Sequence, residues 1–251
     1  EVGPEKVACF IAEPIMGSGG VLVPPPGYHK AMKKVCEKYE ILYILDEVVT
    51  GFGRLGHFFS AEAVWGIVPD IITTAKGITS GYQPMGAVII SDRLYDRISG
   101  SNAPETAYFT NGYTYSGHPV ACAAALKNIE IMQRDNICEH VQDVGPYFIE
   151  QLKRLERHQI VGETRGNHLM ACVECNISGN KTAGEQKDIT AAQIVDQFCD
   201  QAGLIVRPYE ALLILSPPLV IDKAGIDKMV AILDSSIEKA TEVLRSKGLI
   251  R

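Results

Sequence analysis

Short apolar runs without alternation between apolar and polar positions mark the first third of the chain. Runs of this kind are typical of strands that are buried on both faces of a parallel sheet. Apolar positions recur at helical spacing between Met32 and Tyr39, which predicts an amphipathic helix over residues 26–39. We therefore expect a mostly parallel sheet covered on both faces. Its predicted strands are residues 7–12, 41–45, 71–74 and 87–90.

The second half of the chain mixes the two patterns. Helical periodicity covers residues 118–135 and continues in a second helix that runs through Tyr147 and Leu155. After these, strands are predicted at 168–175, 203–207 and 212–216, and helices at 190–201 and 223–246. This mixture indicates a smaller α+β domain that follows an α/β domain. We place the larger domain in residues 1–137 and the smaller one in residues 138–251.

Composition narrows the possible functions. The chain has 251 residues, a hydrophobic fraction of 46% and a net charge of -6, with scattered charges that offer no footprint for nucleic acid or a membrane surface. The seven cysteines mostly stand in apolar surroundings, which favours free thiols in a reducing compartment such as the cytoplasm. Cys172 and Cys175 are the only close pair, and because no second pair or helical histidines accompany them, we expect no metal site.

Three charged residues fall just past the ends of predicted strands: Glu13, Asp46 and Lys76. Ligands of parallel sheets collect at the carboxyl ends of strands, so these side chains are candidates for chemistry. An acid and a lysine here suit pyridoxal phosphate, since the acid keeps the pyridine nitrogen protonated and the lysine carries the cofactor as an imine. Burial at the end of a strand is expected to disfavour the charged form of Lys76.

Other interpretations of the two residues remain open on this pattern alone. Asp46 could cap the next turn or bind magnesium as a Walker B acid does, although the chain lacks the Gly-x-x-x-x-Gly-Lys-Ser/Thr phosphate loop that such a site needs. Lys76 could be an ordinary solvated lysine at a strand end. The two together favour the cofactor interpretation more than either does alone.

Several spaced motifs carry a resemblance to the class III aminotransferases, which are pyridoxal phosphate enzymes of fold type I. The motifs, in chain order, are EPIMG (13–17), LDEVVTGFGR (45–54), PDIITTAKG (69–77), GYQPMGA (81–87) and GYTYSGHP (112–119). The resemblance runs through nearly the whole chain. It implies part of a large cofactor-binding domain with a mostly parallel sheet, followed by the smaller α+β domain.

The resemblance also implies roles for single residues. Asp46 corresponds to the residue that binds the pyridine nitrogen, Val48 to the one that packs on a ring face, and Lys76 to the imine-forming lysine. Tyr113 and Thr114 correspond to a phosphate contact made to the neighbouring subunit, which implies a homodimer or homotetramer. Glu13 is expected near the pocket, as a substrate contact or as a structural acid.

Substrate choice is implied by a further segment. LIVRPY (204–209), ahead of LSPPL (215–219), is similar to ω-amino acid and amine:pyruvate members of the family. Arg207 matches the arginine that pairs with a substrate carboxylate in those members, and a guanidinium suits bidentate carboxylate binding. Arg54 is expected to be structural, although it lies in a motif.

The resemblance therefore implies transamination between an amine or ω-amino acid and a keto acid such as pyruvate. A decarboxylase, racemase or aminomutase of the same fold would use the same Asp46 and Lys76. Family members are longer at the amino end, where they carry the glycine-rich phosphate cup and a stacking aromatic residue, so the chain is expected to be a carboxy-terminal portion. A catalytically incomplete fragment that does not hold the cofactor is the remaining alternative.

Overall fold

A computed structural model describes residues 2–101, 103–107, 109–180 and 184–251. These residues form two compact units. The first contains the residues up to Ile15, Pro24–Gly53 and His57–Cys138, and the second contains Met16–Val23, Arg54–Gly56 and Glu139–Arg251. The second unit thus includes two short segments from the early part of the chain. The domain division at residue 137 stays a prediction.

The first unit is built on a four-stranded sheet with the order β1-β2-β3-β4. Strands β1 (Cys9–Ala12), β2 (Leu42–Asp46) and β3 (Ile71–Thr74) are parallel, whereas β4 (Ala87–Ile90) pairs antiparallel with β3. The mostly parallel sheet is confirmed, and the bounds of β3 and β4 agree with the predicted strands. Complete coverage of both faces is wrong for the described residues, because Ile11, Val88 and Ile89 are exposed.

The first unit also contains helices. They are α1 (Tyr28–Lys38), α2 (Ser60–Ala63), α3 (Asp92–Ile98) and α4 (Pro119–Arg134). Helix α1 begins after the left-handed Gly27 and buries Cys36 in a cluster with Tyr43 and Leu45 of β2. A second cluster joins Ala125 and Met132 of α4 to Ile78, just beyond β3. This second cluster lies next to the carboxyl end of β3.

Helix α5 (Ile137–Lys153) starts in the first unit and continues into the second. The second unit contains an antiparallel sheet with the order β5-β6-β8-β7. Its further elements are β5 (Val161–Asn167), β6 (Met170–Cys175), α6 (Gln186–Gln201), β7 (Arg207–Tyr209), β8 (Leu212–Leu215) and α7 (Lys223–Ser246). The apolar stripe of α7, from Ile226 to Leu244, lies in the same buried core as β6 and β8. This is the smaller α+β unit that the sequence predicts.

Two segments of the second unit differ from the prediction. Strand β5 was not expected, since its VGETRGN sequence lacks an apolar pattern and it forms an edge of the sheet. The predicted strand at 203–207 is wrong for all but Arg207, because Gly203 and Leu204 donate backbone hydrogen bonds to the last turn of α6. The left-handed φ of Gly203 ends that helix. None of the described helices has both the length and the apolar character needed to cross a bilayer.

Candidate active site

Asp46 is the last residue of β2, at the carboxyl edge of the parallel strands. Its Oδ1 atom accepts a hydrogen bond of 3.0 Å from the backbone N–H of Val48. This contact forms a tight turn directly after the strand. Aspartate side chains commonly accept a hydrogen bond from the backbone two residues further on at turns. Within the described ranges, the second carboxylate oxygen has no hydrogen-bond partner. Asp46 is therefore held in place by one oxygen while the other can receive a donor from a ligand.

Glu47 also holds this turn in place, and the sequence pattern did not predict its role. Its buried carboxylate accepts hydrogen bonds from the Thr50 hydroxyl (2.6 Å), the Ser60 N–H (2.6 Å) and hydroxyl (2.9 Å), and the Ala61 N–H (2.9 Å). Burial raises the pKa of Glu47, although these hydrogen bonds lower it. Because Glu47 caps the start of α2, it ties the residues after Asp46 to a second element. The acidic pair at 46–47 was the available signal.

Lys76 follows β3 after one intervening residue, and its side chain is exposed. The burial that the sequence suggested at this position is wrong, because β3 has ended before Ala75 and Lys76 opens a short 3₁₀ helix. The φ angle of Lys76 is +43°, in the left-handed region that favours glycine. Strain of this kind persists only where the surroundings fix the backbone. In the part of the chain that the structure describes, the Lys76 amine has neither a hydrogen bond nor an ion pair.

The Asp46 turn and the Lys76 turn lie against each other. Asp46 pairs in register with Thr73, and the Thr74 hydroxyl donates a hydrogen bond of 3.4 Å to the Glu47 carbonyl. A Cβ atom added to Gly77 would lie 2.8 Å from the Phe52 Cβ, so only glycine fits there. The structure thus brings the candidate acid and the candidate lysine to the same edge of two neighbouring strands.

Glu13 is half-buried and directly follows β1, the third parallel strand at this edge. Its neighbour Pro14 accepts a hydrogen bond of 3.0 Å from Nε2 of His29. Nδ1 of His29 then accepts from the Tyr43 hydroxyl at 2.8 Å, and burial lowers the pKa of His29, so the ring is held in its neutral form. This buried bridge fixes the backbone next to Glu13. A substrate contact by Glu13 stays a prediction.

Tyr113 and Thr114 lie in the loop ahead of α4, and both side chains are exposed. The backbone N–H of Tyr113 donates a hydrogen bond of 3.0 Å to the Ser116 hydroxyl, which gives the loop a local turn. With an exposed fraction of 81%, the Tyr113 ring has no packing role within the described unit. Both residues are accessible for a contact outside this chain, and the phosphate contact stays a prediction.

Arg207 opens β7 in the second unit and pairs in register with Ile214. Its exposed side chain has no ion pair among the residues described. Arg54 differs, because it donates hydrogen bonds to the carbonyls of Leu169 (2.9 Å) and Pro217 (2.6 Å). Burial lowers the pKa of Arg54 to about 10. The expected structural role of Arg54 is confirmed, whereas the role of Arg207 stays a prediction.

Possible metal ligands can be judged on their geometry. Cys172 and Cys175 are buried in β6 and lie an odd number of positions apart, so their thiols point to opposite faces. Burial raises the pKa of Cys172 to about 12 and also raises that of Cys175. His158, Asp234 and Glu238 place possible ligand atoms within 4.8 Å of one another. There, however, Arg157 already pairs with Asp234 at 2.6 Å, and its positive charge opposes a cation.

The side chains at the carboxyl edge fit pyridoxal phosphate in their chemistry. Among the described residues, one oxygen of Asp46 has no donor and can accept from a protonated ring nitrogen, and the primary amine of Lys76, also without a partner there, is the group that condenses with an aldehyde. Half-buried Val48 offers an apolar surface on the same turn. The donor set therefore matches both the ring and the aldehyde of this cofactor.

Comparison with known proteins is consistent with this geometry. A family model described as aminotransferase class-III matches residues 1–237. The chain is 40% identical over 240 residues to a putrescine–pyruvate aminotransferase of Pseudomonas aeruginosa, covering 95% of this chain and 51% of that protein. It is 39% identical over 251 residues to a probable mitochondrial gamma-aminobutyrate transaminase 2 of Oryza sativa subsp. indica, covering 98% of this chain and 50% of that protein.

Solved structures are also similar. An amine transaminase from an uncultivated Pseudomonas species, in its PLP-bound form, superposes with a TM-score of 0.89 at 38% identity. The match covers 95% of this chain and 53% of that chain. The chain thus spans about half the length of the curated relatives and solved structures that it matches.

Proposed function

This chain belongs to the class III aminotransferase family, and we propose that it serves pyridoxal-phosphate-dependent transamination between an amine or ω-amino acid and a keto acid such as pyruvate. One observation carries the proposal. Asp46 ends β2 and Lys76 lies just beyond the end of the neighbouring parallel strand β3, and each presents a polar atom without a partner among the described residues. A buried or paired acid and lysine would not offer these atoms to a ligand.

Asp46 and Lys76 divide the work in this proposal. The Asp46 carboxylate holds a proton on the ring nitrogen by its negative charge, and its contact with the Val48 N–H keeps it aimed. Pyridoxal phosphate, when bound, supplies a positively charged ring that accepts electron density from the reacting carbon. Val48 limits the access of water to that ring. Thr114 gives the phosphate its hydroxyl, with the backbone of Tyr113 beside it, in a neighbouring subunit.

Lys76 both attaches the cofactor and moves a proton. With the cofactor bound, Nζ of Lys76 would take the proton from the substrate carbon that bears nitrogen and would later give it back, so no net acid or base would be consumed. The fixed turn at Lys76 supports this role, because the amine must reach both positions from one backbone location.

The substrate class is proposed from the relatives and from Arg207. The relatives carry names that refer to putrescine and to gamma-aminobutyrate, both of which have a terminal primary amine. Arg207 is exposed and unpaired within the described residues, so its guanidinium is available for a carboxylate of an ω-amino acid or keto acid. A plain amine does not need this contact.

Assembly and location complete the proposal. A phosphate contact made to a neighbouring subunit requires at least a homodimer, and a homotetramer contains the same pair. All seven cysteines are free thiols in the described structure, and most are buried. Free thiols persist in a reducing compartment, which supports a cytoplasmic location.

The test uses the full chain incubated with pyridoxal phosphate, then with putrescine or gamma-aminobutyrate and pyruvate. Borohydride reduction followed by peptide mass spectrometry should place the cofactor on Lys76, and chromatography should detect alanine. Lys76→Ala should lose both signals, because no other amine occupies this turn. Lys34→Ala removes an exposed lysine of α1 and should keep both.

The outcomes separate the alternatives. Cofactor on Lys76 with an amine product or inverted substrate, but no alanine, points to a decarboxylase or racemase of the same fold. A shifted amino group without alanine points to an aminomutase. A colourless chain that traps no cofactor is a fragment that does not hold it, and cofactor trapped equally in Lys76→Ala contradicts the assignment.

A further inference from the structure

Asn128 of α4 reaches the Lys76 turn with its side chain. Its Nδ2 donates hydrogen bonds to the carbonyl of Gly77 at 2.9 Å and to the carbonyl of Ile78 at 3.2 Å. These carbonyls belong to the two residues that directly follow Lys76, about fifty positions earlier in the chain. Both are in the first unit. One amide group thus bridges two successive backbone acceptors beside the candidate lysine.

The backbone at this turn needs outside support. Lys76 has a φ of +43° and Ser80 a φ of +51°, so two residues without glycine's freedom lie in the left-handed region within five positions. The turn's own backbone hydrogen bonds include those from Ile78 to Ala75 (3.1 Å), from Ser80 to Gly77 (3.1 Å) and from Gly81 to Lys76 (3.2 Å). Short turns of this 3₁₀ kind have poor hydrogen-bond geometry. The turn does not hold its shape by local preference.

The surroundings of Asn128 make its two bonds effective. Ile78 packs in an apolar cluster with Ala125 and Met132, which lie one turn before and after Asn128 on α4. In such a setting water does not replace a lost donor easily, so unmatched carbonyls are costly. Asparagine is also a poor helix former at the middle of a helix. Helix propensity therefore disfavours asparagine at this position, and its hydrogen bonds to the turn offset that cost.

We propose that Asn128 is a positioning residue for Lys76, which fixes the backbone from which the amine reaches its reaction partners. The inference rests on the proposed function of Lys76. Gly77 packs against Phe52 on one side, and Asn128 holds the carbonyls on the other, so the turn is clamped between the Asp46 segment and α4. Loss of the clamp should loosen the turn without unfolding the unit.

The first measurement is hydrogen–deuterium exchange of the full chain without added cofactor. Asn128→Asp keeps the size but replaces the donor with an acceptor, and Asn128→Leu removes it while favouring the helix. Both should speed exchange roughly tenfold in the peptide over residues 76–81, and little elsewhere. Asn128→Gln, which retains the donor, should restore part of the protection. Gln133→Glu makes the matched amide-to-acid change on the exposed side of α4 and should leave exchange unchanged.

The second measurement is the fraction of Lys76 trapped by borohydride across a range of pH values at a fixed concentration of pyridoxal phosphate. Asn128→Asp should lower the trapped fraction severalfold and displace its pH profile, with the thermal unfolding midpoint kept. If wild type traps nothing at Lys76, the proposed function fails, whereas exchange still reports on the clamp. If wild type traps cofactor and both variants match it in exchange and in pH profile, the inference on Asn128 is wrong.

Discussion

Asp70 and Asp46 stand at opposite ends of neighbouring strands and are used differently. Asp70 precedes β3 and accepts hydrogen bonds from the Tyr43 N–H (2.9 Å), Lys33 (3.1 Å) and Arg93 (2.6 Å). Asp46 accepts only the Val48 N–H among the described residues. A carboxylate that accepts hydrogen bonds from three donors holds the surrounding elements together. One with an oxygen that has no partner among the described residues keeps its charge available for a ligand, and this difference distinguishes the structural Asp70 from the candidate Asp46.

The second unit repeats the contrast with two arginines. Arg165 pairs with Glu174 at 2.5 Å and donates to the carbonyl of Gly20 at 2.7 Å. Arg207, on the far edge strand of the same sheet, is exposed without an ion pair in the described part of the chain. The paired arginine fastens a loop to the sheet. Arg207, without an ion pair among the described residues, is available to bind an anion. The presence or absence of a partner therefore distinguishes the two arginines as it distinguishes the two aspartates.

The largest effect is expected for Asp46→Asn. Asparagine keeps the oxygen that accepts the Val48 N–H, so the turn should persist, but the charge that we propose holds the ring proton is lost. We expect transaminase turnover to fall about 100- to 1000-fold, the scale of removing one preorganised electrostatic contact. The free energy of unfolding should change by less than about 0.5 kcal/mol. Alanine formation and urea unfolding measure the two quantities.

Asp70→Asn is the matched variant for this test, since it makes the same substitution at the aspartate whose carboxylate already accepts three hydrogen bonds. Turnover that survives in Asp46→Asn, or falls equally in both variants, would remove the functional distinction between the two acids.

A smaller effect is expected for Arg207→Leu. Charge-assisted hydrogen bonds contribute about 1.5–3 kcal/mol, so KM for gamma-aminobutyrate should rise roughly 10- to 100-fold. KM for putrescine, which has no carboxylate, should change little. Arg207→Lys keeps the charge but not the planar fork and should lie between the two. Equal losses for both donors would show that Arg207 does not read the carboxylate.

The smallest effect is expected for Asp70→Asn, in stability alone. Burial raises the pKa of Asp70, but the hydrogen bonds from Tyr43, Arg93 and Lys33 bring it below the ordinary value of 3.8. The folded chain therefore takes up this proton less readily than the unfolded chain. Its stabilisation is present above pH 3.8 and is lost as pH falls through the lowered pKa.

We expect Asp70→Asn to lower the free energy of unfolding by about 1–2 kcal/mol near neutral pH, because the exposed Arg93 contributes little and the partly buried Lys33 more. The difference from wild type should shrink in acid. Urea unfolding across pH measures it, with exposed Asp200→Asn as the control. A constant difference at all pH values would contradict the role of the Asp70 charge.

Much of the fold could be predicted because its signals are local. β4 is an uninterrupted apolar run, β3 combines isoleucines with β-branched threonines, and α7 has a long amphipathic stripe in a helix that Asp222 caps. The antiparallel direction of β4 could not be predicted, since direction depends on how the chain returns to the sheet. β5 was missed because a polar edge strand needs only hydrogen bonds from one neighbour.

The candidate site was predicted in part for the same reason. The positions of Asp46 and Lys76 could be predicted because each lies just past a segment that the sequence predicts to be a strand. Glu47 and Asn128 are not, because their partners lie roughly 13 and 50 positions away and hydrogen bonds leave no periodic pattern. The exposure of Lys76 also depends on the turn after Ala75, which apolar runs do not encode.

The antiparallel return of β4 has a consequence for how this protein can diversify. Thr74 and Ala87 face each other in register, so the segment that carries Lys76 begins and ends on paired strands at one edge of the sheet. Within that segment, the Tyr82 side chain is exposed in the part of the chain that the structure describes. Mutations around Tyr82 can therefore accumulate and alter what the surface beside the lysine recognises, while the lysine keeps its place. One short loop therefore contains both a position that can vary and the lysine that stays in place.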